Sequence, residues 1–413
     1  MRIQRSLSVL WTAALCVSSA SLLTGCPDPD DGATDVHADV DAGPDAPDAL
    51  DAGDSAIDVV DADEPDPAPP SRPLTVTVNL DGVPVEGAAV LQGGAVPRWT
   101  TDADGKANIT VDMTVDGDLF VMGNHPDARI KGVQLYPNDG VEAATIELTS
   151  FDRSDNPDFE FEDPGEPDHR ESTSQCGHCH RTINDQWFES SHRRSARNRP
   201  VQDLYAGVAA AITDPDACVA AGGTWGPGLQ PGTRVAVNLC FIGAGVLGDV
   251  KDGTFGACAD CHAPGIGGPL GGQDLLAATG LAYNYGVHCD VCHLTEHIDL
   301  DAEAGVAGAL GILRPSEPPF SPSLGVFLPL TFGPSDDVPN VRMGSVTRSH
   351  FREARFCGAC HEQRQEVLVP NVEADPSRWP DGRLPIHSTF SEWAASPFAD
   401  VAPCQSCHMP PNP

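Results

Sequence analysis

Residues 174–182 read Ser-Gln-Cys-Gly-His-Cys-His-Arg-Thr, and the pattern Cys-x-x-Cys-His inside them decides how the chain is interpreted. The pattern occurs five times in the 413-residue sequence. Two thiols three positions apart lie on the same side of a helical turn, and a histidine follows them directly. The copies are Cys176–His180, Cys258–His262, Cys289–His293, Cys357–His361 and Cys404–His408.

This pattern is the attachment signature of c-type haem. The two thiols of each copy reach the two vinyl groups of one haem as thioethers, and the histidine binds the iron. A single copy could instead be a redox-active cysteine pair or half of a zinc site, but five copies followed by histidine favour five haems c with their iron. The predicted attachment residues are Cys176, Cys179, Cys258, Cys261, Cys289, Cys292, Cys357, Cys360, Cys404 and Cys407, and the predicted proximal ligands are His180, His262, His293, His361 and His408.

The remaining cysteines have other predicted roles. Of the 14 cysteines, ten belong to the motifs, Cys16 lies in the N-terminal apolar run, and Cys26 follows it. The last two, Cys218 and Cys240, lie in a glycine-rich insert between the first two motifs. Outside the cytoplasm such a pair is expected to form a disulfide. Two reduced buried thiols are the alternative.

The N-terminus is typical of an export signal. Met1–Arg5 is basic, residues 6–22 are apolar, and Leu23-Thr24-Gly25-Cys26 has the form of a bacterial lipoprotein cleavage site. We predict a signal peptide at 1–25 and lipidation of Cys26, which would be the only membrane anchor because no other run approaches about 20 apolar residues. A plain signal peptide is the alternative. By resemblance to sorted lipoproteins, Pro27 favours the outer membrane, facing the periplasm or the cell surface.

Residues 26–72 are predicted to be a disordered acidic tether. Residues 27–72 contain 15 acidic residues and one arginine, which leaves little apolar surface to bury. The whole chain has a formal net charge of −36, so nucleic acid is excluded as a partner. The same charge favours transient docking to redox proteins that carry a basic patch.

Residues 73–150 are predicted to form a small β-sandwich, because short alternating runs are separated by Asp-Gly turns. Residues 82–90 and 100–109 resemble the carboxypeptidase-regulatory and transthyretin-like β-sandwiches. The runs are Leu74–Leu80, Val83–Val90 and Ala107–Val115, and the turns are Asp81-Gly82, Asp104-Gly105 and Asp116-Gly117. Residues 151–413 contain all the Cys-x-x-Cys-His motifs, and their frequent Gly and Pro predict a multihaem domain of short helices and long loops. The predicted fold class is therefore mixed.

A second histidine on each iron would come from elsewhere in the chain. Any one of these histidines could instead hydrogen-bond a haem propionate or lie on the surface, and Met343 is an alternative thioether ligand. The candidates are His192, His350, His288, His297, His387 and His169.

Cys176–His192 resembles the first motif of the family of the tetrahaem cytochrome that accepts electrons from hydroxylamine oxidoreductase. The resemblance rests on Trp187 and His192, continues in the run before Cys404, and covers roughly residues 170–413. It implies an axial role for His192 and an electron-transfer function. Because this chain has five motifs, the family's ligand pairing is not carried over.

The main functional hypothesis is electron transfer between closely spaced haems. The alternative is a multihaem oxidoreductase that acts on a small nitrogen or sulfur compound at an open iron, although the Cys-x-x-Cys-Lys motif of pentahaem nitrite reductase is absent. The β domain could bind a partner, or it could be a spacer.

Overall fold

The structure is a computed structural model, and it divides the chain into two units, Met1–Pro65 and Asp66–Pro413. The predicted signal peptide, Cys26 and nearly all of the acidic tether lie outside the described residues. In the part that is described, no helix combines the length and the apolar character needed to cross a membrane. The described residues are 70–136, 140–172, 174–230, 235–242, 255, 257–317, 320–321, 326–337, 343–367 and 373–409.

The described chain is mixed α/β, with several small sheets and short helices, as the sequence predicts at that level. The strands are β1 (Ser71–Leu80), β2 (Val83–Pro84), β3 (Ala89–Gln92), β4 (Arg98–Thr100), β5 (Lys106–Asp112), β6 (Leu119–His125), β7 (Ala128–Leu135), β8 (Ala143–Leu148), β9 (Thr224–Leu229), β10 (Ala236–Phe241), β11 (Thr295–Ile298), β12 (Leu310–Ile312), β13 (Phe320–Ser321), β14 (Val326–Phe327), β15 (Leu330–Gly333), β16 (Gly344–Thr347), β17 (Gln363–Glu366) and β18 (Arg383–His387). The α-helices are α1 (Cys176–Cys179), α2 (Arg181–Glu189), α3 (Arg199–Ala206), α4 (Pro215–Ala220), α5 (Cys258–His262), α6 (Gly280–Tyr285), α7 (Cys289–His293), α8 (Arg355–His361), α9 (Thr389–Ala394) and α10 (Cys404–His408).

Strands β1 to β8 form two four-stranded sheets. In the first, β1 pairs antiparallel with β2 and β5 and parallel with β8. In the second, the order is β4-β3-β6-β7. Alternating residues of both sheets bury their side chains in one hydrophobic cluster, because successive strand residues point to opposite faces. The cluster includes Leu74, Val76, Val78, Val90, Ile109, Val111, Val121, Ile146 and Leu148.

A buried glutamine joins the two sheets. Gln92 at the end of β3 donates from Nε2 to the Asp112 carbonyl at 2.7 Å, and its Oε1 accepts from the Asp112 amide at 2.7 Å. Gln92 is 0% exposed, so both hydrogen bonds satisfy polar groups that water does not reach. This pair fixes the end of β3 against the end of β5.

The predicted single run Val83–Val90 is wrong in its extent. It contributes to two strands, β2 and β3, in different sheets, because Gly87 between them has a φ of +82° that turns the chain. The run predicted to end at Val115 ends as β5 at Asp112, whose carboxylate accepts from the Thr114 amide at 2.8 Å. The first strand begins at Ser71, two residues inside the predicted tether boundary.

Residues after the first two sheets fold against them through ion pairs. Arg129 of β7 contacts Glu317 at 2.6 Å, and Arg98 of β4 contacts Asp336 at 2.9 Å. Cys218 in α4 and Cys240 in β10 form a disulfide, which joins the helix to the β9–β10 hairpin. Residues 71–148 and the later segments therefore lie within one compact unit.

Candidate haem-attachment sites

Each Cys-x-x-Cys-His motif lies on a short helix. The first motif spans α1 with His180 directly after it, and the others lie on α5, α7, α8 and α10. A helical turn places residues three apart on the same face. Both thiols of each motif are therefore on one side of their helix, as covalent attachment to one haem requires.

Glycines inside two motifs allow close packing. A Cβ at Gly177 would come within 2.7 Å of the Asn184 side chain, which is itself 2% exposed and donates to the Pro164 and Gly165 carbonyls. A Cβ at Gly358 would come within 2.8 Å of the Phe390 ring. The glycines between the two cysteines of these motifs therefore make room for neighbouring side chains, which the sequence alone does not predict.

Two carboxylates inside the motifs have a structural role that the sequence does not predict. Asp260 of the second motif is 2% exposed and accepts from the Gly272 amide at 2.8 Å. Asp290 of the third motif accepts from the Glu162 amide at 2.7 Å. Burial raises the pKa of each carboxyl to about 6. Each one anchors its motif helix to a loop that is distant in sequence, and neither position carries a local signal for this.

Thiols of different motifs are neighbours. The neighbouring Cys289 thiol, together with burial, raises the pKa of Cys176 well above its usual value. The neighbouring Cys360 thiol and burial have the same effect on the pKa of Cys261. The first motif therefore lies near the third, and the second lies near the fourth.

The fourth motif also meets the remaining ones. Burial, followed by the neighbouring Cys404 thiol, raises the pKa of Cys357 to about 12. Burial and the nearby Cys360 and Cys357 thiols raise the pKa of Cys292 to about 12. The fourth motif therefore lies near the third and the fifth. The ten motif cysteines, all of them described, form no disulfide with one another.

The histidine of the third motif is held by the backbone. His293 Nδ1 donates to the Phe332 carbonyl at 2.8 Å. A metal-binding histidine usually donates its second N–H in this way, which fixes the ring and its tautomer. Desolvation by the surrounding protein lowers the pKa of His293.

Two predicted second ligands are buried with unpartnered nitrogens. His288 is 1% exposed, and neither Nδ1 nor Nε2 has a hydrogen-bond partner. His350 is 5% exposed and leaves Nε2 unpartnered. Burial lowers the pKa of both rings to about 4, so both are neutral at pH 7. A neutral imidazole has the lone pair that a metal requires.

Four histidines form a chain of ring contacts. The ring centroids of His192 and His361 are 6.1 Å apart, those of His361 and His387 are 6.3 Å apart, and those of His387 and His262 are 6.5 Å apart. Burial, followed by the nearby His387, lowers the pKa of His262 to about 4. Two histidines of the motifs and two predicted second ligands thus lie in one group.

The other predicted ligands lie elsewhere. His297 on β11 is exposed and lines a cleft of about 610 Å³ together with Arg153 and Arg348. His169 is exposed beside a tight turn with Glu166. The structure brings neither of them into the group of four rings.

The residues fit covalent haem. Paired thiols without disulfides and buried imidazole nitrogens without partners, His350 Nε2 and both nitrogens of His288, match the two kinds of bond that haem c requires. Over the described residues, no group of three or more His, Cys, Asp or Glu side chains is placed to hold a metal ion. A haem iron takes only two protein ligands, one on each face.

No protein-family model matches this chain, and no curated protein matches it either.

Proposed function

We propose that this chain is an exported multihaem c-type cytochrome that carries five covalent haems and transfers electrons. The observation that carries the proposal is that all five motifs form short helices within one compact unit and that two of their histidines lie close together. The His361 and His387 ring centroids are 6.3 Å apart, those of His387 and His262 are 6.5 Å apart, and the Cys176 thiol neighbours Cys289. Cofactors attached at adjacent thiols must themselves be neighbours. Proximity of redox centres is the property that electron transfer needs.

The chain's own residues would attach, orient and enclose the cofactors. When bound, the haems supply one-electron redox chemistry at their irons. The backbone carbonyl of Phe332 orients His293. The buried carboxyls of Asp260 and Asp290 hold two motif helices in place through backbone amides. Fixed ligand rings limit reorganisation when an electron arrives or leaves.

The finer organisation belongs to the same proposal. We propose that residues 73–150 are a β-sandwich spacer, which is supported by two sheets that share one hydrophobic cluster. The pentahaem domain occupies 151–413, is related to the tetrahaem partner of hydroxylamine oxidoreductase, and is lifted from the outer membrane by lipidated Cys26 and the tether 26–72. The charge of −36 would favour a redox partner with a basic patch.

Electron paramagnetic resonance combined with a reductive titration tests the function. The oxidised protein should take up five electrons per chain and show low-spin ferric signals from haems with two strong ligands. Uptake of fewer electrons would contradict the proposal. A strong high-spin signal, together with binding of nitrite, hydroxylamine or sulfite, would support the rival oxidoreductase instead.

A salt titration tests the docking partner. The rate of electron exchange with a small basic cytochrome should fall steeply with ionic strength, because screening weakens attraction between oppositely charged surfaces. An acidic electron carrier of similar size is the matched control and should exchange more slowly at low salt. Equal rates with both carriers would contradict electrostatic docking.

A further inference from the structure

The group of four histidine rings carries one inference beyond electron transfer in general, and it rests on the proposed function. Two members, His262 and His361, are the histidines of the second and fourth motifs. The other two, His192 and His387, belong to no motif. An imidazole nitrogen binds a first-row metal at about 2 Å, so two imidazoles on opposite sides of one iron place their ring centroids about 6 Å apart.

The observed distances match this separation. They are 6.1 Å for His192 and His361, 6.3 Å for His361 and His387, and 6.5 Å for His387 and His262. Each iron takes one motif histidine, so His262 and His361 must serve different irons. Among the described ring contacts His192 meets only His361 in this group, and therefore only one assignment gives each motif histidine a partner.

We propose that His192 is the second axial ligand of the iron at Cys357–His361, and that His387 is the second axial ligand of the iron at Cys258–His262. The contact between His361 and His387 then joins two neighbouring haem sites. This agrees with the backbone, where the Gly305 amide donates to the Ala359 carbonyl at 2.7 Å and the Val306 amide donates to the Asp260 carbonyl at 3.4 Å, which places the same two motifs side by side.

The backbone fixes His192 at this position. The His192 carbonyl accepts from the Val287 amide at 3.1 Å, and the Trp187 indole donates to the Val287 carbonyl at 2.8 Å. The Ser195 hydroxyl donates to the His262 carbonyl at 2.7 Å. The segment after α2 is therefore tied both to the loop before the third motif and to the second motif.

A hairpin fixes His387. His387 is the last residue of β18 and pairs with Gln363 of β17, which lies two residues after His361. Directly after β18, the Ser391 amide donates to the Glu362 carboxylate at 3.0 Å. Because β17 continues from the fourth motif, the hairpin returns the chain beside that motif, and His387 lies between His361 and His262.

Double substitutions in the holoprotein test the pairing. His192→Ala and His387→Ala should each convert one of the five low-spin haems to high spin. His192→Ala combined with His361→Ala should alter only one haem in total, whether that haem becomes high spin or fails to attach. His192→Ala combined with His262→Ala should alter two. His387→Ala combined with His262→Ala should likewise alter one haem, whereas His387→Ala combined with His361→Ala should alter two.

Controls separate this pairing from the proposed function. His37→Ala, in the acidic segment, should leave all haems low spin. His192→Met keeps a second ligand and should raise one reduction potential without a high-spin signal, which makes a folding defect distinguishable. If His192→Ala with His361→Ala alters two haems, the pairing is wrong although five haems remain. A wild-type protein without covalent haem would overturn the function itself.

Discussion

Arg314 and Asp155 form a two-point ion pair, with Arg314 Nε 2.9 Å from Asp155 Oδ1 and a second guanidinium nitrogen bonded to Oδ2. The Arg314 side chain is 1% exposed, whereas Asp155 is 38% exposed. Arg314 also donates to the Gly268 carbonyl in the loop after the second motif. The pair therefore ties Asp155 to the segment just after β12 and to the loop that follows the second motif.

Asp155→Asn should destabilise the protein. The substitution leaves a buried guanidinium without its counter-ion, and loss of a charged hydrogen-bonding partner costs about 2 kcal/mol of unfolding free energy. Chemical denaturation followed by circular dichroism measures the change. Asp158→Asn is the matched control, since Asp158 is an exposed carboxylate in the same segment. Equal effects of the two substitutions would contradict the structural role of the pair.

The effect of Asp155→Asn should depend on pH. The hydrogen bond from Arg314, which outweighs the opposing effect of burial, lowers the pKa of Asp155. A carboxyl with a lowered folded-state pKa contributes stability above its unfolded pKa and loses that contribution as pH falls through the folded value. The difference in unfolding free energy between wild type and variant should thus be full at pH 7 and shrink below about pH 4. A difference that grew on acidification would have the wrong sign.

Removing the disulfide should loosen the insert and leave the haems attached. A covalent link across the 22 positions from Cys218 to Cys240 stabilises by about 3 kcal/mol in the chain-entropy account. Replacing both cysteines by serine should therefore increase proteolysis and amide hydrogen exchange within residues 207–242. Haem content by mass should stay at the wild-type value, because neither thiol belongs to a motif. Loss of a haem would show that the pair has another role.

His288→Leu should turn one low-spin haem into a high-spin one. A buried imidazole with both nitrogens unpartnered costs free energy unless something binds it, and an iron would satisfy one nitrogen. Electron paramagnetic resonance of the oxidised variant measures the spin change. His37→Ala, in the acidic segment, is the control and should change no haem. Five low-spin haems in His288→Leu would show that His288 is only a core residue. In that case the leucine should raise the free energy of unfolding, because it removes a buried imidazole without partners.

Local features of the fold could be predicted from the sequence because they depend on neighbouring residues. The Asp81-Gly82 turn follows from side chains that tolerate positive φ, and both residues have it, at +52° and +80°. The motif helices follow from the three-residue thiol spacing. The predicted end of the first strand at Leu80 is confirmed for the same reason. Gly87 instead divides the predicted run Val83–Val90 into two strands, which the alternation of apolar and polar residues does not indicate.

Long-range features could not be predicted, because they depend on how distant segments pack. His387 was one candidate among several until the pairing of β18 with β17 placed it beside His361. The buried Asp260 is equally hidden, since its partner is the backbone amide of Gly272 and backbone amides occur everywhere. His297 lies exposed on β11 and outside the group of four rings, so its role as a ligand stays a prediction.

The central claim is that five covalent haems are held by this one chain. The most direct test is the intact mass of the purified protein under denaturing conditions, which remove anything that is not covalently bound. The proposal predicts a mature chain carrying five haem masses, and replacing Cys404 and Cys407 by alanine should reduce the number to four. A mass equal to the polypeptide alone, or bound zinc lost on denaturation, would contradict it.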